Sequence, residues 1–161
     1  MKIRLLILAI LLSLSMASSA WARLGETESA VIARYGKPLL KVHRTCGDEE
    51  SFSANGFSIT VTLINGISVG ELYRIAPGQK FTDELTTELL GANCQGYSWE
   101  ELPKTEIPKN IYSPIRQMWR RPNFSTAVLT ATSFEFKSIY LIDAQEAAAN
   151  QKTAAPSTQG F

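Results

Sequence analysis

The chain is poor in the residues that most chemistry needs. His43 is its one histidine, and Cys46 and Cys94 are its two cysteines. One histidine excludes a paired-histidine metal helix. Two cysteines and one histidine also fall short of the four ligands that a structural zinc site wants. No glycine-rich phosphate loop and no Gly-x-Ser-x-Gly elbow occurs. An excess of either charge is missing too, with 16 basic against 15 acidic residues. That balance gives no electrostatic reason to expect nucleic acid or an anionic membrane as partner. Finally, no apolar run approaches the roughly 20 residues of a membrane-spanning helix.

The longest apolar run, Leu5 to Leu14, follows Lys2 and Arg4 and precedes Ala20-Trp21-Ala22. A cationic start, a short apolar core and small residues at an A-x-A site form a secretory signal. Residues 1–22 are therefore expected to be a signal peptide cleaved after Ala22, with cleavage after Ala20 as the alternative. The product would be periplasmic or secreted and would keep no stable membrane anchor. Losing Lys2 and Arg4 leaves 14 basic residues against 15 acidic, moving the net charge from +1 to −1. In an oxidising compartment Cys46 and Cys94 read first as a disulfide, closing a loop of about 47 residues. Two free thiols are the other reading.

The remainder is of single-domain size, residues 23–143, and alternates helix and strand signals. Thr27 caps a short helix that Gly36 and Pro38 end. Leu39 to Arg44 and Ser51 to Ala54 are candidate strands around a polar turn, Thr45 to Glu50. Phe57, Ile59, Val61 and Leu63 alternate with Ser58, Thr60 and Thr62, the period of a half-buried strand. Asn55-Gly56 and Asn65-Gly66 are hairpin signals on either side. Ile67 to Ile75 returns, with Gly70 as a candidate bulge. Thr82 then caps a second helix, Asp83 to Leu90, stopped by Gly91. Further strands are expected over Ile115 to Arg121, Thr126 to Thr132 and Phe136 to Asp143.

Thr27/Gly36 and Thr82/Gly91 share an offset of 55 positions. The predicted fold is therefore α+β: an antiparallel sheet with short helices on one face, in two degenerate halves of a helix and about three strands, near 24–76 and 80–143. From Ala144 the composition turns to Ala, Gln, Thr and Pro. Residues 144–161 read as a disordered tail, with its first turns open to being helical.

The run Leu24-Gly25-Glu26-Thr27, then Arg34-Tyr35-Gly36-Lys37-Pro38 and Gly56 to Val61, resembles the start of small exported bacterial proteins of unknown function. Leu89-Leu90, Asn93, Trp99 and Trp119-Arg120 are similar landmarks in the second half. More distantly, the helix-then-strands unit is similar to the small outer-membrane-assembly lipoproteins, though no lipidated Cys is present. A tandem version resembles the beta-lactamase inhibitory proteins. These resemblances imply an exported binding or envelope-assembly module, and they bring no catalytic residue with them.

Candidate sites are few. Trp119 among Arg116, Arg120 and Arg121 could stack on a ligand or hold an anion; the bland reading is a solvated strand face with Trp119 in the core. Trp99 stands with Tyr97, Ile107, Ile111 and Tyr112 in a long connection, 93–114, that either covers the core or forms a recognition surface. His43, Cys46 and Asp48 make a short His-x-x-Cys-x-Asp cluster that could bind metal or activate a thiolate. The expectation is a non-enzymatic binding module with an extracytoplasmic protein as partner and neither metal nor cofactor. A thiol- or metal-dependent enzyme around His43 and Cys46 is the alternative.

Overall fold

The computed structural model describes residues 23–108, 115–123 and 125–154. The signal-peptide expectation for 1–22 lies outside the described residues, as do Ile111 and Tyr112. Among the described residues, no helix is long and apolar enough to cross a membrane.

The fold is α+β, with one antiparallel sheet of eight strands. The first half holds α1 (Glu28–Tyr35), β1 (Leu40–Arg44), β2 (Gly47–Ala54), β3 (Phe57–Ile64) and β4 (Ile67–Ile75). The second holds α2 (Asp83–Ala92), β5 (Glu100–Glu101), β6 (Gln117–Arg120), β7 (Thr126–Leu129) and β8 (Ser133–Lys137), followed by α3 (Ile139–Ala154). The sheet order is β1-β2-β3-β4-β8-β7-β6-β5. Each half is thus a helix and a four-strand meander, and the last strands of the two meanders, β4 and β8, pair at the centre.

Local chemistry accounts for the elements. The Thr27 hydroxyl accepts from Ala30 N at the start of α1, and that of Thr82 accepts from Leu85 N at the start of α2. Both hairpin turns need two successive positive φ angles. Asn55 and Gly56 have 51° and 80°; Asn65 and Gly66 have 52° and 74°. In β3, Phe57, Ile59, Val61 and Leu63 are all buried while Thr60 and Thr62 are not, as the alternation predicts.

Cross-strand register carries that face across the sheet. Phe52, Ile59, Tyr73, Phe134 and Leu129 form one row, and Glu50, Val61, Glu71, Phe136, Ala127 and Trp119 form the next. Val31 and Tyr35 of α1 and Leu89 of α2 pack onto these rows in a single core cluster.

Several expectations need correction. The halves have four strands each, not three. Asp48, Glu49 and Glu50 belong to β2 rather than to a turn, paired on both sides with β1 and β3. Gly91 lies inside α2, which runs to Ala92 and is capped at Asn93. The strand expected over Phe136 to Asp143 stops at Lys137, and α3 begins at Ile139.

The segment read as a disordered tail is helical to Ala154. Ala144, Ala147, Ala148 and Ala149 supply the highest helix propensity, and one apolar side chain fixes the helix to the sheet. That side chain is Leu141, set over Gly70 and Thr62. Thr62 points away from the core, so α3 lies on the face opposite α1 and α2. The bulge expected at Gly70 falls one residue earlier, at the unpaired Val69.

Candidate functional site

The candidate ligand-binding side chains divide between core and surface. Trp119 is buried on the helix side, its ring 5.6 Å from that of Phe134. Trp99 is half-buried and packs on Phe136, with its indole N–H donating to Leu90 O at 2.9 Å. The guanidinium of Arg121 lies 4.6 Å from the Trp99 ring centroid. It is buried, and it donates to Asn93 O at 2.8 Å, Cys94 O at 2.9 Å and Gln95 Oε1 at 3.3 Å. The Trp119 ring that suggested ligand stacking is therefore spent in the core, and the Arg121 cation on Trp99 and on closing the C-terminal end of α2. Arg116 and Arg120 are exposed instead.

Cys46 and Cys94 are free thiols, which corrects the expected disulfide. Cys46 sits in the β1–β2 turn, where Sγ donates to Ala144 O of α3 at 3.7 Å. Cys94 follows α2, on the other side of the sheet. Parity favoured a bond, but the sheet lies between the partners.

The His43 cluster is brought together at the end of this hairpin. His43 Nδ1 lies 2.7 Å from Asp48 Oδ1, its cross-strand partner. The hydrogen bond with His43 holds the Asp48 carboxyl below its ordinary range, with Lys41 adding to the effect. His43, Cys46 and Asp48 line one cleft of about 390 Å³ with Asn65, Gly66 and Ala144. His43 is largely exposed, and among the described residues no group of three His, Cys, Asp or Glu side chains is placed to hold a metal ion.

Sequence reasoning missed two buried carboxylates in the row that carries Val61. Glu71 is fully buried. Tyr73 Oη donates to its Oε2 at 2.8 Å and Ser68 Oγ to its Oε1 at 3.4 Å. Tyr35 and Tyr73 hydroxyls meet at 3.0 Å, so the network reaches α1. Asn93 joins it from the second half, and Asn93 Oδ1 accepts from Leu24 N at 3.1 Å.

Burial pushes the Glu71 carboxyl up to about 7; the charge of Glu26 adds to this, and the Tyr73, Asn93 and Ser68 hydrogen bonds oppose it. Burial, then the Glu71 charge, raises the Tyr73 phenol well above its ordinary value. Glu50 is the second. Burial raises its carboxyl against Lys41 Nζ, which lies 3.0 Å from Oε1 and 2.9 Å from Glu28 Oε1. The signal available in the sequence was phase: Glu71 alternates with Tyr73 where an apolar residue is expected.

The sheet's other face is a different surface. Ser51, Thr60, Leu72, Glu135, Val128 and Met118 run across it in register, and each is half-buried. Arg74 of β4, Lys137 of β8 and Arg120 of β6 stand beside this row, together with Arg116 just before β6. Arg74, Arg116 and Arg120 are exposed, and Lys137 Nζ meets Glu135 Oε1 at 3.3 Å.

No protein-family model matches this chain, and comparison with curated proteins and with solved structures finds no match.

Proposed function

We propose that the protein is an exported, non-enzymatic module that binds an extracytoplasmic protein through the sheet face away from α1 and α2. One observation carries this reading. The helix-covered face absorbs both candidate tryptophans and Arg121, while the opposite face presents a row of half-buried hydroxyl and aliphatic side chains flanked by Arg74, Arg116 and Arg120. A mixed surface with a basic margin suits an acidic patch on a folded partner.

The His43–Asp48 pair and Cys46 support the second reading, a thiol-dependent enzyme, because the three share one cleft.

The test is site-specific photocrosslinking in the native envelope from Val128 on this face and from Glu88 on α2. Partners captured from Val128 alone, and lost in an Arg74→Glu/Arg120→Glu variant that keeps its near-ultraviolet dichroism, support the binding surface. Capture from Glu88 alone, or capture insensitive to charge reversal, refutes it. Loss of a measurable hydrolytic or transfer activity on alkylation of Cys46 would favour the enzyme.

A further inference from the structure

The binding reading leaves one element unexplained. The helix α3 lies across the very face proposed to bind, and its hold on that face is thin. Leu141 is its single buried side chain among the described residues. Ala144 and Ala148, one and two turns on, are half-buried, while Tyr140, Asp143, Gln145 and Glu146 are exposed. A cleft of about 80 Å³ remains beneath the helix, between Thr60, Thr62, Leu72, Glu135 and Gln145. An element held by few apolar contacts opens locally without global unfolding.

The attachment is nevertheless specific. Gly70 leaves the space that Leu141 fills, since a Cβ there would collide with Leu141 Cδ2. Ser138 N donates to Val69 O at 2.8 Å and anchors the root of the helix to β4. Further along, Ala144 O accepts from Cys46 Sγ at the β1–β2 turn. A rooted end, one fully buried knob and a helix whose other apolar contacts, at Ile139, Ile142, Ala144 and Ala148, are only half-buried describe a hinged strap.

We propose that α3 is a displaceable, autoinhibitory strap that covers the sheet face until a partner takes its place. The proposal rests on the binding reading for its purpose, but its mechanics stand alone. Only the strap-open fraction can bind a partner on this face, so the apparent affinity falls in proportion to that fraction.

The test uses the purified protein without any partner, so failure to find a partner leaves it intact. Hydrogen exchange should show the amides of 140–150 exchanging at least a hundredfold faster than those of β3 and β4. Gly70→Ala, which fills the Leu141 socket, should raise the rate of Cys46 alkylation by N-ethylmaleimide at least tenfold. Cys94 alkylation and near-ultraviolet dichroism should not change. If Gly70→Ala fails to fold, Leu141→Ala asks the same question by removing the knob. Ala144→Cys should form a disulfide with Cys46 on oxidation, slow helix exchange to the rate of the sheet, and regain its fast exchange on reduction. Helix and sheet amides that exchange together in the wild type would overturn the strap. So would Gly70→Ala and Leu141→Ala that leave Cys46 reactivity unchanged, or an Ala144→Cys variant that cannot be oxidised to Cys46.

Discussion

Replacing Glu71 by Gln removes a charge from the centre of the protein and should change how stability depends on pH. The folded carboxyl titrates near 7 against an ordinary value of 4.5, because burial disfavours its charged form. A difference of about 2.5 units corresponds to about 3 kcal/mol at 1.36 kcal/mol per unit. The sign follows from proton binding. Below pH 4.5 Glu71 is protonated in both states and costs nothing. Between 4.5 and 7 the unfolded chain gives up the proton and the native state keeps it, so unfolding gains ground as pH rises. Above 7 the native state holds a buried carboxylate and the loss is complete.

The amide introduced by Glu71→Gln cannot titrate, and its oxygen still accepts from Tyr73 or Ser68. Urea denaturation of both proteins from pH 4.5 to 8.5, followed by the fluorescence of buried Trp119, isolates the effect. Titrations that are not coupled to Glu71 cancel in the difference between the two proteins. The expected result is stability equal to within about 1 kcal/mol near pH 4.5, the scale of one altered hydrogen bond. The variant should then gain steadily, by up to about 3 kcal/mol, toward pH 8.5. A difference that stays flat across this range would refute the reasoning. So would a variant whose deficit grows with pH, which would mean that the network stabilises the carboxylate more than burial penalises it.

Further predictions concern packing, capping and the thiols. Val61→Ala, in the core face of β3, should cost about 1–3 kcal/mol in urea denaturation, whereas Thr60→Ala on the other face should cost less than about 0.5 kcal/mol. Arg121→Gln should cost about 2–3 kcal/mol, because Asn93 O and Cys94 O both lose a charged donor, and Trp99 fluorescence should shift as its ring is uncovered. Thiol titration of the unfolded, unreduced protein should find two free sulfhydryls per chain, and its melting midpoint should not move on adding reductant.

Parts of this fold were legible because local chemistry alone decides them. Thr27 and Thr82 cap helices wherever they sit, and two Asn-Gly pairs demand hairpins. The β3 alternation is legible because one of its faces is wholly apolar. The β2 strand was hidden by its acidity. Asp48, Glu49 and Glu50 look like a solvated turn until Lys41, His43 and Arg44 appear opposite them. The docking of α3 was hidden because its signal lies elsewhere in the chain. The glycine that receives Leu141 is 71 positions upstream, and nothing near Leu141 marks it. Trp119 and its arginines were recognised as a cation–aromatic set, but composition cannot say that Trp119 enters the core while Arg121 stacks on Trp99 instead.

The meeting of β4 and β8 at the centre of the sheet also governs how the chain finds this structure. Of the seven strand pairings among the described residues, six join neighbours in the sequence and only β4–β8 spans a long separation. Apart from the longer β5–β6 connection, each meander can zip locally through successive turns, since loop closure over a few residues is fast. The one entropically costly step is bringing Tyr73 beside Phe134 and Glu71 beside Phe136, across about 60 intervening residues. The kinetic barrier should therefore lie at the seam. Phe134→Leu is expected to slow refolding, while a substitution of similar cost at Phe52, far from the seam, is expected mainly to speed unfolding.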